Sequence, residues 1–171
     1  MGSLAFSFVA LALAFAALVT AAQSESRSNA TSKRIIKLAA SGVVGSTAKV
    51  TLQEFSITAH PGLVQSGKVT FDVQNVGSIT HELVIVRAAS VAALPTVKKA
   101  GERSVGAIDE EAIAETAKMG ETGDVAAGTT VTKVFDLPPG TYVIFCNIDN
   151  KSGGKVLNHF THGMATTLIV V

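Results

Sequence analysis

Apolar and polar residues alternate along two stretches that follow residue 45. In "GKVTFDVQNVG", residues 67–77, Val69, Phe71 and Val73 fall on one face and polar side chains fall on the other. "KVTLQEFSIT", residues 49–58, alternates in a similar way. A period of two residues is typical of a β-strand with one face buried and one face in water. We therefore predict half-buried strands in both stretches.

Later apolar segments predict the remaining strands. "HELVIVRA" at 81–88 is rich in β-branched residues, which is typical of a strand covered on both faces. "GTTVTKVFDL" at 128–137 leads through the tight turn "PPG" into "TYVIFCNI" at 141–148, and "ATTLIVV" at 165–171 ends the chain. About seven strands separated by turn signals, without alternating helices, predict an all-β fold, an antiparallel Greek-key β-sandwich.

A helix-prone insertion, residues 89–125, interrupts the strand pattern. Within "IDEEAIAETAKMGETG", Asp109 is a candidate N-cap, acidic residues follow it in the first turn, and Gly120 stands near the end. These positions are favourable for a short helix. The segment is locally acidic, which is typical of a solvated helix face; a docking patch for a basic partner is the alternative.

The N-terminal pattern indicates export. Residues 1–22 carry no charged side chain and are mostly apolar, which favours a secretory signal peptide cut near Ala22, with an uncleaved membrane anchor as the alternative. Residues 23–45 are small and polar, as in a flexible linker. Residues 46–171 then form the folded domain. In either case we expect the domain outside the cytoplasm, periplasmic or extracellular, and either soluble or tethered to the membrane.

The charge balance argues against a nucleic-acid partner. The chain has 14 basic and 13 acidic residues, and residues 23–45 hold four basic and one acidic. Residues 46–171 therefore keep ten basic against twelve acidic residues, a net charge of −2. A strongly basic face of the kind that binds nucleic acid is not expected from this composition.

Cys146 is the only cysteine of the chain. Exported proteins usually contain cysteines in pairs, because disulfides persist outside the cytoplasm. A single cysteine leaves four roles: a buried apolar thiol, an intermolecular disulfide, a nucleophile or a metal ligand. Because side chains alternate along a strand, Tyr142, Ile144 and Cys146 share one face, and Cys146 lies where that strand ends.

Three other residues favour the metal-ligand role. His159 and Met164 follow Cys146 in the loop before the last strand, and His81 opens the strand at 81–88. If these strand ends meet at one pole of the sandwich, two imidazoles, a thiolate and a thioether converge. This soft donor set suits copper. His162 is an alternative source of the second imidazole.

The order of these residues resembles the cupredoxins, the superfamily of plastocyanin and azurin, over nearly all of residues 48–171. A histidine follows an early strand, and then come "GTYVIFCNI" and "HFTHGM" before a last strand. The spacing of His159 to Met164 is similar to that of the family's ligand loop, which favours His159 over His162. Two features depart from the family: Glu82 stands where many relatives carry Asn, and "NIDNKSGGKVLN" lengthens the loop between the cysteine and the histidine with an expected flexible, basic insertion.

The resemblance implies one type 1 (blue) copper ion, held by His81, Cys146, His159 and Met164. It implies an exported, monomeric one-electron carrier that docks transiently with redox proteins, and a His159 ring whose edge reaches an apolar surface. We expect no enzymatic activity, unless the chain is part of a larger oxidase complex, since one mononuclear site lacks the further coppers needed to reduce oxygen.

Two other functions stay open at this stage. The first is a copper carrier or buffer, which the flexible insertion would favour. The second is a metal-free β-sandwich that acts as a binding module, in which Cys146 is simply a buried thiol.

Overall fold

In a computed structural model of the chain, the described residues are 30, 31, 33, 45–99, 104–152 and 155–171. The chain divides into two compact units, Met1–Val43 and Val44–Val171. The predicted signal peptide or anchor, residues 1–22, lies outside the described residues, and so does most of the predicted linker, residues 23–45. Within the described part of the chain, no helix is both long and apolar enough to cross a membrane.

The second unit is a β-sandwich, which confirms the predicted fold class. One sheet has the strand order β2-β1-β4-β7, the other has the order β3-β11-β8-β5-β6, and β9 and β10 form a separate hairpin. The strands are β1 Thr47–Gln53, β2 Ser56–His60, β3 Leu63–Val64, β4 Gly67–Asn75, β5 Val84–Arg87, β6 Lys118–Glu121, β7 Thr130–Leu137, β8 Gly140–Phe145, β9 Asp149–Ser152, β10 Lys155–Asn158 and β11 Ala165–Val170.

The sheets differ in two respects from the purely antiparallel, seven-stranded pattern. The described residues contain eleven strands, partly because the stretch at 49–58 reverses at Glu54 and Phe55, so that Gln53 pairs with Ser56. Two pairs, β1 with β4 and β3 with β11, are parallel. The chain leaves the first sheet after β2, adds β3 to the second sheet, and returns as β4 beside β1. The strands β1 and β4 therefore run in the same direction.

Two hydrophobic clusters cover the second sheet on both of its faces. The main core lies between the sheets and includes the predicted row Val69, Phe71 and Val73, all fully buried. A smaller cluster packs the insertion against the outer face of β5 and β8. Residues along β5 alternate between the two clusters, which is why its sequence is continuously apolar.

Among its described residues, 89–99 and 104–125, the insertion is helical only in single 3-10 turns, at Val91–Ala93, Glu110–Ala112 and Glu115–Ala117. The Asp109 carboxylate accepts a hydrogen bond from the Ala112 N–H, as the sequence predicted, but no helix continues to Gly120, which lies in β6. Ile108 and Ile113 are both buried in the smaller cluster. The backbone leaves the helical region at Ile113 and Ala114, whose ψ angles are 128° and 134°, so the first turn does not continue into a helix.

Candidate metal centre

Three donor atoms meet at the end of the sandwich where β4 and β8 finish. The Nδ1 atoms of His81 and His159 are 3.0 Å apart, and the Cys146 Sγ lies 3.1 Å from Nδ1 of His159 and 4.0 Å from Nδ1 of His81. All three residues are fully buried, and their donor atoms lie within 4.8 Å of one another. The predicted convergence of these three side chains is therefore present in the fold.

Asn75, the last residue of β4, shapes the loop that carries His81. Its side-chain amide donates to the carbonyls of Ile79 and Val125, both at 2.8 Å, and its Oδ1 accepts from the N–H of Gly77. His81 in turn forms a two-way backbone bridge with Val125. Asn75 was not singled out from the sequence. Its position at the end of an alternating strand is typical of an Asx-type turn and could have indicated its role.

Replacing Asn75 by Ala is expected to destabilise the metal-free protein by about 1–3 kcal/mol, because the carbonyls of Ile79 and Val125 lose their donor in a largely buried place. The matched control is Gln74→Ala, at the exposed neighbouring position, which should change stability by less than about 0.5 kcal/mol. Urea unfolding of both variants measures the difference. Equal unfolding midpoints would show that Asn75 does not hold this loop.

Cys146 directly follows β8, and backbone hydrogen bonds fix it beside the last strand. Its N–H donates to the carbonyl of Met164 at 3.1 Å. The backbone N–H of Glu82, next to His81, points at the Cys146 Sγ at 3.4 Å. The Glu82 carboxylate accepts from the N–H of Asn147 at 2.9 Å. Glu82 thus ties the His81 segment to the Cys146 segment, although its position was singled out only as a departure from the family.

A short turn brings His159 and Met164 together. The N–H of Met164 donates to the carbonyl of His159 at 3.2 Å, and the intervening Gly163 has φ = +105°, a conformation that favours glycine. Met164 is fully buried and belongs to the same core cluster as Cys146. The backbone of Met164, the predicted fourth ligand, is therefore hydrogen-bonded to both Cys146 and His159.

The long loop between Cys146 and His159 is closed at its base. The N–H of His159 donates to the carbonyl of Ile148 at 2.9 Å, and Asn158 Nδ2 donates to the carbonyl of Asn147 at 2.9 Å. Asn147 and Asn158 are both buried. The added residues project from this base as the β9–β10 hairpin. The base of this hairpin is therefore hydrogen-bonded between the segments that carry Cys146 and His159.

His162 does not join the cluster. Its side chain is exposed, and its Nδ1 lies 2.8 Å from the carbonyl oxygen of Asn158. Phe55, from the turn between β1 and β2, contacts both candidate histidines, with ring centroids 5.3 Å from His159 and 4.9 Å from His162. His159 itself is fully buried. The expectation that its edge reaches the surface is therefore wrong: Phe55 and the packing around it cover the ring.

Burial dominates the electrostatics of the cluster. It raises the pKa of the Cys146 thiol to about 12, against an opposing effect of the N–H groups of Ile148 and Glu82. Burial, together with the neighbouring His81, lowers the pKa of His159 to about 4, and burial also lowers the pKa of His81. In the metal-free protein at neutral pH, the thiol is protonated and both imidazoles are neutral. A bound metal ion has to displace the thiol proton.

The donor set fits a metal ion better than a purely structural role. The Nε2 atoms of His81 and His159 are buried and make no hydrogen bond within the described structure. An ion at the Nδ1 atoms would leave both Nε2 atoms unpaired as well, so the support for a metal ion comes from the convergence of the two Nδ1 atoms and the Cys146 sulfur. An ion bound at the two Nδ1 atoms would explain why both rings are held with those atoms facing inward. Fold and site together define a β-sandwich with a buried His-Cys-His cluster.

A scan of protein-family models finds no match, and a search of curated proteins finds none either. Among solved structures, the chain is similar to auracyanin from Roseiflexus castenholzii, with 20% identity over 75% of this chain and 98% of that one and a TM-score of 0.48. Auracyanin A, a "blue" copper protein from Chloroflexus aurantiacus, gives 19% identity over 73% and 98% and a TM-score of 0.45. Rusticyanin from Thiobacillus ferrooxidans gives 18% over 75% and 79% and a TM-score of 0.41.

Proposed function

We propose that the protein binds one copper ion through His81, Cys146, His159 and Met164 and carries single electrons between redox partners. The observation that supports this function best is the geometry of the cluster, in which two imidazole Nδ1 atoms and one thiol sulfur lie within 4.8 Å of one another in a buried pocket. Two histidines and a cysteine with a methionine nearby are the donor set of copper electron-transfer sites. The methionine distinguishes this set from zinc sites, whose ligands are cysteine, histidine and carboxylates.

The chain's own groups would prepare the thiolate. The N–H groups of Glu82 and Ile148 both lower the pKa of the Cys146 thiol, because each stabilises a negative charge on the sulfur. The metal's positive charge would complete the deprotonation. Bound copper would supply the one-electron chemistry, as the couple of Cu(I) and Cu(II). The backbone bonds among Cys146, His159 and Met164 hold the donors in place, so little rearrangement is needed when the charge changes.

The exit route for electrons would run through Phe55. Since the His159 ring is fully buried, a partner cannot touch it directly, whereas the half-buried Phe55 contacts both His159 and the exposed His162. A groove beside Phe55 is lined by further residues of this pole, among them Ile79, Ala127 and Leu157. We propose that a redox protein docks here in a small, transient interface.

We further propose that the protein works as a monomer outside the cytoplasm, either free or tethered through its N-terminal segment. The support is the apolar, uncharged stretch at residues 1–22 followed by a polar linker. The proposal includes no catalytic activity of the chain itself; reaction with oxygen would require additional copper ions in a partner.

Two alternatives make different predictions. A delivery protein should release its ion readily, and the complete burial of His81, Cys146 and His159 makes fast release less favourable. A metal-free binding module would leave the convergence of two imidazole Nδ1 atoms and a thiol without a function. The electron carrier accounts for both observations.

The test is a titration of metal-free protein with Cu(II), followed by voltammetry. An electron carrier should bind one equivalent, develop an intense visible band from charge transfer between the thiolate and copper, and give a reversible one-electron wave. Preference for Cu(I) with rapid loss to a chelator would favour copper delivery instead. Absence of copper binding by correctly folded protein would favour the metal-free module.

A further inference from the structure

Glu54 holds the turn that leads into His81, although the two residues are far apart in the sequence. Its Oε1 accepts hydrogen bonds from the N–H of Ser78 at 2.6 Å, the N–H of Ile79 at 2.9 Å and the hydroxyl of Ser78 at 3.2 Å. Gly77 permits this close approach, because a Cβ at that position would lie 2.6 Å from both carboxylate oxygens. A carboxylate from the β1–β2 turn is therefore built into the loop of the metal centre.

The same oxygen faces the outer side of the His81 ring. Oε1 of Glu54 lies 3.7 Å from Nε2 of His81, and that Nε2 is buried and makes no hydrogen bond with other described residues. The opposite ring nitrogen, Nδ1, points to the cluster. If the proton of His81 sat on Nδ1, a lone pair on Nε2 would face the carboxylate, which is repulsive. With the proton on Nε2, the N–H points toward the negative charge and Nδ1 is free to bind a metal ion.

We propose that Glu54 is a positioning residue of the metal centre, which keeps the His81 proton on Nε2 and Nδ1 free for the ion, and which lowers the reduction potential of bound copper through its negative charge. This inference rests on the proposed copper-binding function. Carboxylates behind ligating histidines fix the tautomer and raise the basicity of the ligand. A fixed negative charge nearby favours Cu(II), the more positive oxidation state.

The variant Glu54→Gln separates charge from shape. The amide oxygen of glutamine can still accept from the N–H groups of Ser78 and Ile79, so the turn should persist, whereas the negative charge is lost. The matched control is Asp136→Asn, which removes one exposed carboxylate from β7. Asp136 pairs with Lys68 at the start of β4, the end of that strand opposite to Asn75 and the metal centre. Both variants change the net charge by the same amount.

The expected result has two parts. In copper-loaded protein, Glu54→Gln should raise the reduction potential above that of both the wild type and Asp136→Asn, with the visible band almost unmoved because the donor atoms are the same. Glu54→Ala should in addition lose about 10- to 100-fold in copper affinity, as is usual when the partner of a metal-bound histidine is removed. A potential for Glu54→Gln equal to that of the control would overturn the electrostatic role.

The second part uses metal-free protein and nitrogen-15 NMR of the histidine rings. Wild-type His81 should carry its proton on Nε2, and Glu54→Ala should redistribute that proton between both ring nitrogens. A wild-type His81 protonated on Nδ1 would refute the positioning role. This readout needs no copper, so a failure of the copper proposal and a failure of the role of Glu54 can be told apart.

Discussion

Replacing Cys146 by Ser should abolish the intense visible band of the copper-loaded protein. The band would arise from charge transfer between a thiolate and Cu(II), and a serine hydroxyl neither deprotonates as readily nor provides a polarizable sulfur. The metal-free variant should still fold, since one sulfur is exchanged for one oxygen at a single buried position of the main core. Absorption spectra during copper titration measure the first effect, and urea unfolding measures the second.

The variant Asn147→Ala is a control for Cys146→Ser. Asn147 is the buried neighbour in the chain, and its side chain bonds to Ile108 and Glu110 but offers no donor to the cluster. Its loss should lower stability and leave the band in place. A Cys146→Ser protein that kept the band would show that the thiol is not a ligand, and the copper proposal would then fail.

The second large effect distinguishes the two histidines of the last loop. Loss of a residue that hydrogen-bonds to a metal-bound histidine typically lowers metal affinity about 10- to 100-fold. His159→Gln should lower copper affinity by more than this, because it removes a donor itself. His162→Gln should leave the affinity and the visible spectrum close to wild type, because His162 is exposed and is not part of the donor cluster. The identical substitution in both places makes the pair a matched comparison.

Copper titrations followed by absorption and by a competing chelator measure both variants. An unaltered spectrum in His159→Gln, together with a loss in His162→Gln, would contradict the assignment and would require the loop to rearrange when the ion binds. If both variants bind copper as the wild type does, neither histidine is a ligand.

Local patterns in the sequence predicted the longer strands, though not the short strands β3, β6, β9 and β10 or the reversal within residues 49–58. The alternation that places Val69, Phe71 and Val73 on one face is a property of neighbouring residues, and all three are buried as predicted. The same rule turned Cys146 toward the core. The predicted helix after Asp109 stops after one 3-10 turn, because the backbone becomes extended at Ile113, which packs into the smaller cluster, and such tertiary contacts override local helix preference.

Residues that act through distant contacts could not be found in this way. Glu54 reaches Ser78 and Ile79, Asn75 reaches Val125, and in each case the sequence contains only an unremarkable polar residue near a turn. Their roles depend on which turns meet at one end of the sandwich. That depends on the crossings between the two sheets, which no local period encodes.

The sequence by itself determined the β-sandwich, the buried rows of its strands, and the donor types that make copper the favoured ion, because two-residue alternation and ligand chemistry are both written in the residues themselves. The tertiary structure places His159, which the loop spacing had favoured, beside His81 and Cys146 and leaves His162 in solvent. It alone decided that Phe55 covers the His159 ring and that Glu54 stands behind His81. The physical reason is that burial and direction are properties of packing: a side chain's surroundings come from strands that are remote in the chain and become neighbours only in the fold.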